Sequence, residues 1–567
     1  MKNKEVALIL YKIADYLDFL GVEFKPIAFR RAAQNVEVLS KDIEEIHKEG
    51  KLEEIPAVGI NIAQKIAEYL NTGKLEYLEE LKSKIPVNLE ELMSISEVGP
   101  KRIKVLYQNL KIKNLADLKK AVQEHKVRDL FGFGEKSENS ILRSIELLEK
   151  SKGRKLLGDC IDIGEQIVEK LNKVYGVTRV DLAGSARRMK ETVGDLDILV
   201  ISSKPNKVVE AFTSLKNIQK VLEKGPTRSS IILDNGLQVD LRVVEKRSYG
   251  AALNYFTGNK EHNIMLRKIA IKKGLKLSEY GLFKGNKFVG GRTEEELYKK
   301  LGMVYIEPEL RENTGEIELA QKNKLPKIIE YNDILGDLHM HTTFSDGHNS
   351  IEEMALAAKK IGYLYVNISD HSNLPVANGM DDKKVLDYCK EIDGINKKNL
   401  GINIFKGCEI NIDKKGEPDL KKSTIKELDI PIFSIHSYFK LDKGEMTKRI
   451  LTALDNEFIK ILAHPTGRLI NQREEYEFDF DAVFEKAAKN NVVLEINSFP
   501  DRLDLKDFYI KAARELKVKF VVDTDSHAVS HLKLIRFGIG QARRGWLTKK
   551  DVLNTLNLKE FRKVMKL

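Results

Sequence analysis

Cysteine is scarce. Cys160, Cys389 and Cys408 are the three in 567 residues, and their wide spacing excludes a disulfide framework and fits a reducing compartment. No apolar run reaches the roughly 20 residues needed to cross a bilayer, so no membrane partner is expected. The opening Met1-Lys2-Asn3-Lys4 leads into a helix-like pattern containing Glu5, Asp15 and Asp18; no signal peptide is expected, and a cytoplasmic location is. What remains is a chain 42% apolar and 32% charged, long enough for several domains with cores of their own.

The net charge of +11 is unevenly spread. Residues 201–300 hold 20 Lys and Arg against 10 Asp and Glu, and 101–150 hold 12 against 7, whereas 1–100 hold 13 against 18. A polyanionic partner for the middle of the chain follows, the alternative being a Lys-rich solvated surface.

Asp195-Leu196-Asp197 opens an apolar run, Ile198 to Ile201, that reads as a strand. Side chains alternate in a strand, so both carboxylates point to one face and can jointly hold a divalent metal. A third carboxylate, Asp240, lies in a second such run, Leu237 to Leu241. Upstream, Gly184-Ser185 frees a turn able to cradle a triphosphate, with Arg187 or Arg188 to neutralise it. Asp-x-Asp alone equally suits a charged surface. Joined to Gly-Ser and a distant Asp, it points to nucleotidyl transfer with two Mg²⁺ ions, or Mn²⁺, between three carboxylates.

From 1 to about 150 the pattern is helical throughout, broken by three similar turns: Ile55-Pro56-Ala57-Val58-Gly59, Ser96-Glu97-Val98-Gly99-Pro100 and Phe131-Gly132-Phe133-Gly134. Each reads as a helix-hairpin-helix element, in which Gly59, Gly99, Gly132 and Gly134 bring backbone N–H groups to a DNA phosphate without reading sequence. Ala57 and Glu97 fill the first Gly position of the first two turns, and Glu97 should weaken phosphate contact. An ordinary helix-to-helix turn is the alternative for any single copy.

Beyond residue 333 strand-like runs alternate with helix patterns, and the runs end in metal-ligating residues: Asp337-Leu338-His339-Met340-His341, with Asp346 soon after; Asp370-His371; Cys408-Glu409; His436; His464; and Asp523-Thr524-Asp525-Ser526-His527. Ligands at the C-terminal ends of successive parallel strands are how a β/α barrel builds an active site. Eight of the eleven histidines lie here.

With both halves read, the chain closely resembles the bacterial and archaeal family X DNA polymerases, of the DNA polymerase beta type, that end in a polymerase-and-histidinol-phosphatase (PHP) domain. The sharpest local likeness is Tyr255-Phe256-Thr257-Gly258-Asn259-Lys260-Glu261-His262-Asn263, followed by Arg267. The resemblance implies a nucleotide pocket of Tyr255, Phe256, Gly258, Asn263 and Arg267, with Ser185, Arg188 and Gly194, next to Gly184, holding the triphosphate. An aromatic pair against the sugar, with Gly for close approach, would exclude a 2′-hydroxyl. Two positions depart from the beta type: Lys260 replaces an acidic residue and adds positive charge beside the nucleotide, and Gln238 replaces an Arg that contacts the third Asp. The N-terminal region resembles the beta-type lyase domain, with Lys65 at the Schiff-base position. A lysine attacks only unprotonated, so cations or burial must lower its pKa. Phe29 replaces a Tyr thought to assist, leaving lyase chemistry and plain 5′-phosphate binding by Lys25 and Lys65 both open. The PHP likeness implies the ligands His339, His341, Asp346, His371, Glu409, His436, His464, Asp525 and His527, all present. Mixed imidazole and carboxylate ligands suit Zn²⁺ or Mn²⁺ rather than Mg²⁺, up to three ions if one carboxylate bridges.

The expected architecture is multidomain. It comprises a helical lyase-like unit (1–88), a helical duplex-binding unit (89–152), both with helix-hairpin-helix elements, and an α+β nucleotidyltransferase palm (153–247). A nucleotide-selection unit (248–315), a linker (316–333) and a seven-stranded, TIM-like PHP barrel (334–567) complete it. The function that follows is gap filling on DNA with dNTPs, joined to 3′-to-5′ exonuclease or 3′-phosphoesterase chemistry, in a nucleoid-associated monomer that other repair proteins would assist. A small-molecule phosphatase and a DNA-end scaffold with vestigial catalysis are the rivals.

Overall fold

Apolar residues three and four positions apart fold the N-terminal region into helices. In Lys2–Leu20, Val6, Leu10, Ile13 and Leu17 fall on one buried stripe, and Lys25–Glu37 carries Pro26 in its first turn, where a missing N–H costs little. The computed structural model describes residues 2–39, 41–95, 98–150 and 153–567. Buried side chains from Val6 to Ile145 form one continuous core, so the two helical units pack as a single body, and Lys12 reaches Glu90 across them at 2.8 Å. No described helix is long and apolar enough to cross a membrane.

The palm is a five-stranded sheet of β1 (Val177–Leu182), β2 (Asp195–Ser202), β3 (Ile218–Lys224), β4 (Arg228–Leu233) and β5 (Gln238–Val244) in the order β1-β2-β5-β4-β3. Only β2 and β5 run parallel, and their register sets Asp197 opposite Asp240. Ile198, Leu199 and Val200 are all buried, which holds β2 in the middle of the core. Next come helices Tyr249–Thr257 and Lys260–Lys272, an antiparallel sheet of β6 (Lys276–Ser278), β7 (Gly281–Lys284) and β8 (Lys287–Gly290), and helix Glu294–Lys300. Gly250 is required here: a Cβ would lie 2.1 Å from the backbone of Thr293.

The stretch 316–333, expected as a linker, is instead folded. Glu316–Gln321 is a helix, and fully buried Glu316 sits 2.7 Å from Nδ1 of buried His262. Ile317, Ala320 and Ile328 join a core that also contains Trp546 from the far end of the chain. Glu318, Lys322, Lys324, Lys327 and Glu330 are exposed, as their charge suggests, whereas Glu316 is paired inside the fold.

The C-terminal sheet has seven parallel strands in chain order: β9 (Gly336–Met340), β10 (Tyr365–Ile368), β11 (Asn403–Asn411), β12 (Ile430–Ser434), β13 (Ile461–Leu462), β14 (Val493–Asn497) and β15 (Phe520–Asp523). First and last strands meet, with the Leu338 amide donating to Asp523 Oδ1 at 2.8 Å and Met340 bridging Ser526, so the sheet comes close to closing. Strands buried on both faces explain the unbroken Val and Ile runs. One mouth is plugged by the C-terminal helix Leu558–Met565, whose Phe561 stacks on Tyr365 at 4.5 Å. The other mouth gathers the ligands.

Candidate functional site

In the palm, Leu196 points into the core while Asp195 and Asp197 share the opposite face of β2. Burial, then the neighbouring charges of Asp195 and Asp240, raises the Asp197 carboxyl to about 7. Three carboxylates pressed together against their own repulsion are a ready divalent-cation site. Gln238 Nε2 donates to both Asp240 oxygens at 3.2 and 3.1 Å, so the residue in place of an Arg still holds the third Asp, without its charge.

Gly184 begins a one-turn helix, Gly184–Arg187, at a φ of 63°. A side chain there would meet Asp197 Oδ2 at 2.4 Å, so the glycine is fixed by both conformation and space. The adjoining cleft, about 780 Å³, is lined by Gly184, Ser185, Arg188, Asp195, Asp197, Tyr255, Phe256, Gly258, Lys260, Asn263 and Arg267, uniting nearly all the expected nucleotide contacts. Gly194 stands apart from the lining, exposed beside Arg154. Tyr255 and Phe256 meet edge to face at 5.1 Å, and Asn263 Nδ2 donates to the Tyr255 carbonyl at 2.7 Å.

Three lining or flanking residues escaped the sequence reading. Arg154 donates through Nε to Thr192 Oγ1 at 2.9 Å, Glu312 accepts from Arg188 Nε at 3.1 Å, and Arg242 lies over the Phe256 ring at 5.1 Å while its charge opposes the rise of Asp197. Arg242 is two residues beyond Asp240 on β5, so strand alternation alone would have placed it on the same face. Glu312 carries no such local signal.

At the barrel mouth Glu409 is the centre. One of its oxygens lies 3.3 Å from His339 Nε2, 3.5 Å from His341 Nε2 and 2.9 Å from His371 Nδ1; the other lies 3.1 Å from His436 Nε2 and 2.9 Å from His464 Nε2. Asp525 Oδ1 is 3.2 Å from His341 Nε2, and Asp346 approaches His371 and His527 at 3.7 and 3.5 Å. Burial would raise the Glu409 carboxyl, but the imidazoles of His436, His371 and His339 outweigh it and hold it well below the usual range. His339 Nε2, both ring nitrogens of His341, and Nδ1 of His371 are buried without a hydrogen-bond partner. Orphaned imidazoles converging on carboxylates fit bound cations. Three overlapping sets emerge: His341, Asp346, His371 and His527; His339, His341 and Glu409; His371, Glu409 and His436. Glu409 bridges two of them.

Glu495, on the one strand from which no ligand was expected, accepts from His339 Nδ1 at 2.6 Å and from the His464 amide at 2.5 Å. It fixes the ring whose other nitrogen faces Glu409. Its signal was an acidic residue inside the apolar run Val492 to Ile496.

The N-terminal candidates form a looser set. Gly59 and Gly99 cap helices Ile60–Thr72 and Pro100–Leu110 with nearly the same backbone, φ −83° and −82°, ψ 173° in both. Neither is capped by a side chain, so first-turn N–H groups are open to phosphate. Ala57 and Gly132 share a positive φ, 62° and 81°, and Gly134 immediately precedes helix Glu135–Lys150. Glu97 lies outside the described residues. Lys25 is exposed. Lys65 is half-buried, its Nζ 4.6 Å from the Tyr77 ring centre and 3.5 Å from the Asn61 carbonyl.

A nucleotidyltransferase palm joined to a PHP-type barrel is therefore the class that fold and ligands define. Residues 1–75 match a helix-hairpin-helix domain, 89–146 a SAM-like helix-hairpin-helix tandem, 252–312 the DNA polymerase beta thumb and 337–499 the PHP domain. The chain is 37% identical over 572 residues to the DNA polymerase/3′-5′ exonuclease PolX of Bacillus subtilis (strain 168), the match covering 100% of both chains. A probable phosphatase of Thermoanaerobacter sp. (strain X514) is 30% identical over 231 residues, 39% of this chain and 89% of the phosphatase. One of Caldicellulosiruptor saccharolyticus (strain ATCC 43494 / DSM 8903 / Tp8T 6331) is 33% identical over 168 residues, 29% and 65%. The chain belongs to the family X DNA polymerases that carry a PHP domain.

Proposed function

We propose that this enzyme fills short gaps during DNA repair and that its barrel hydrolyses the 3′ ends of the same class of substrate. The observation that carries the reading is the completeness of both ligand sets in one chain, three palm carboxylates and nine barrel ligands. The name of the Bacillus subtilis relative, which joins polymerase to 3′-5′ exonuclease, supports it. Divalent ions, Mg²⁺ or Mn²⁺ in the palm and Zn²⁺ or Mn²⁺ in the barrel, would supply Lewis-acid charge and a deprotonated oxygen nucleophile.

The protein's own part is placement. Asp195 and Asp197 present oxygens at the cleft lip, and Asp240, oriented by Gln238, would take the proton of a primer 3′-hydroxyl. Ser185, Arg188 and the Gly184 turn receive the triphosphate, while Tyr255 and Phe256 wall the sugar. In the barrel, Glu495 holds His339 in one tautomer and Glu409 ties the ligand sets together. The matches to probable phosphatases favour 3′-phosphate removal alongside nucleotide excision. Lys65 and Lys25 bind a 5′-phosphate at the gap's far side, with Lys65 over the Tyr77 ring. A cytoplasmic monomer suffices for all of this.

Primer extension on a gapped duplex, run beside 3′-end hydrolysis with Mn²⁺, Zn²⁺ or Mg²⁺, tests the reading. Both activities are expected from the purified chain. Hydrolysis of small phosphate esters without nucleotide addition would make it a phosphatase, and neither activity would make it a scaffold.

A further inference from the structure

The loop that shapes the triphosphate site rests on the barrel domain. Gln541 Nε2 donates to the Met189 carbonyl at 3.0 Å, and Gly540 lies so close to the Met189 side chain that a Cβ there would approach it to 2.9 Å. Arg468, four residues past the ligand His464, reaches Glu191 at 2.8 Å, and Asn471 Nδ2 donates to the Arg154 carbonyl at 3.1 Å. At the end of the barrel helix Ile535–Arg544, Arg544 Nη1 donates both to the Arg188 carbonyl and to Glu312 Oε1, each at 2.9 Å.

Glu312 in turn lines the cleft and takes hydrogen bonds from Arg188 Nε at 3.1 Å and Asn259 Nδ2 at 3.0 Å, with Lys190 at 3.8 Å. On its other side Arg188 donates to the Thr257 carbonyl. Arg544 also pairs with Asp507. The charges alternate from barrel to cleft: Asp507, Arg544, Glu312, Arg188. Arg544 is nearly fully buried, so this contact is built into the fold rather than a surface encounter.

We propose that Arg544 of the PHP domain is a positioning residue of the polymerase: it neutralises Glu312 and holds Arg188 by backbone and side chain in the pose that receives the triphosphate. The barrel domain thereby sets the affinity for the incoming nucleotide without touching it. An arginine already held at two edges loses little freedom when phosphate arrives. Without Arg544, Glu312 loses one of its three cationic partners and draws more strongly on Arg188 and Lys190, the charges meant for a polyanion. The inference rests on the polymerase reading above.

Dissociating the two requires dNTP titration of single-nucleotide gap filling by the full chain. From the worth of one charge-assisted contact, Arg544→Gln is expected to raise KM for dNTP about tenfold, with kcat within about twofold. Adding Glu312→Gln to that variant should return most of the lost affinity, since it frees Arg188 and Lys190 from the carboxylate while keeping a side-chain oxygen to accept from Arg188 Nε. Hydrolysis of 3′ ends and the thermal melt report whether the variant is folded. Should it not fold, Arg544→Lys keeps the charge but loses the planar fork and is expected to give a smaller rise in KM. An unchanged KM, or a rise that Glu312→Gln does not relieve, overturns the proposal. Absence of incorporation by the wild-type chain would instead sink the polymerase reading itself.

Discussion

Asp195 stands exposed at the lip of the palm cleft, whereas Glu409 at the barrel mouth is 1% exposed and within 3.5 Å of five imidazoles. The palm brings few ligands to an open groove, as suits ions that arrive with a triphosphate and leave with pyrophosphate. The barrel mouth gathers nine residues of ligating type, most of them buried, which suits ions that stay. On the proposed reading, one chain would carry a transient and a resident metal site. Chemical independence of the two is the point most open to attack.

The largest effect is expected from Asp240→Ala, which removes one of the three carboxylates read as the palm's metal ligands. Incorporation should fall by about three orders of magnitude or more while 3′ hydrolysis stays within about twofold. Comparable loss of both activities would show that the sites are not separate. The reciprocal change, His339→Ala or Asp525→Ala, should eliminate Mn²⁺-dependent hydrolysis and leave gap filling intact. Hydrolysis that survives both substitutions belongs to another site.

Glu495→Gln sharpens the contrast between resident and transient ions. It leaves every ligand in place but loosens His339, so metal retained by the barrel after gel filtration should weaken about 10- to 100-fold in affinity. Metal content measured by emission spectroscopy decides it, and an unchanged content would make Glu495 a purely structural acid. A smaller separation comes from salt. Gap filling should drop at least about tenfold between 50 and 200 mM salt through counterion release, while barrel hydrolysis of a small phosphate ester stays flat. Parallel salt curves would place both activities on one DNA-binding surface.

Much of this was legible in order along the chain. Asp195-Leu196-Asp197 announces a shared strand face because alternation is a local property of extended backbone, and the repeated strand-end ligands announce a barrel for the same reason. Seven of the nine residues expected as barrel ligands fall into groups able to hold a metal ion, and Ser185, Arg188, Tyr255, Phe256, Asn263 and Arg267 line one cleft, which Gly194 does not. The linker was not legible in this way: Glu316 looks solvated in sequence, yet it is fully buried, because its partner His262 lies 54 positions away. Lys65 stands at the nucleophile position by its place in the sequence, but that its Nζ lies 4.6 Å from the ring of Tyr77, on another helix, no local pattern showed.

By itself, then, the sequence determined the element types, the two ligand sets and the phosphate-facing turns, all of which depend on periodicity or on neighbours within a few residues. Only tertiary structure decided that Glu409 bridges the ligand sets, that Glu495 orients His339 from 156 positions away, and that Arg544 reaches back 232 positions to Glu312. Pairings of this kind depend on how separate elements pack, and no local pattern encodes which buried charge will find which partner.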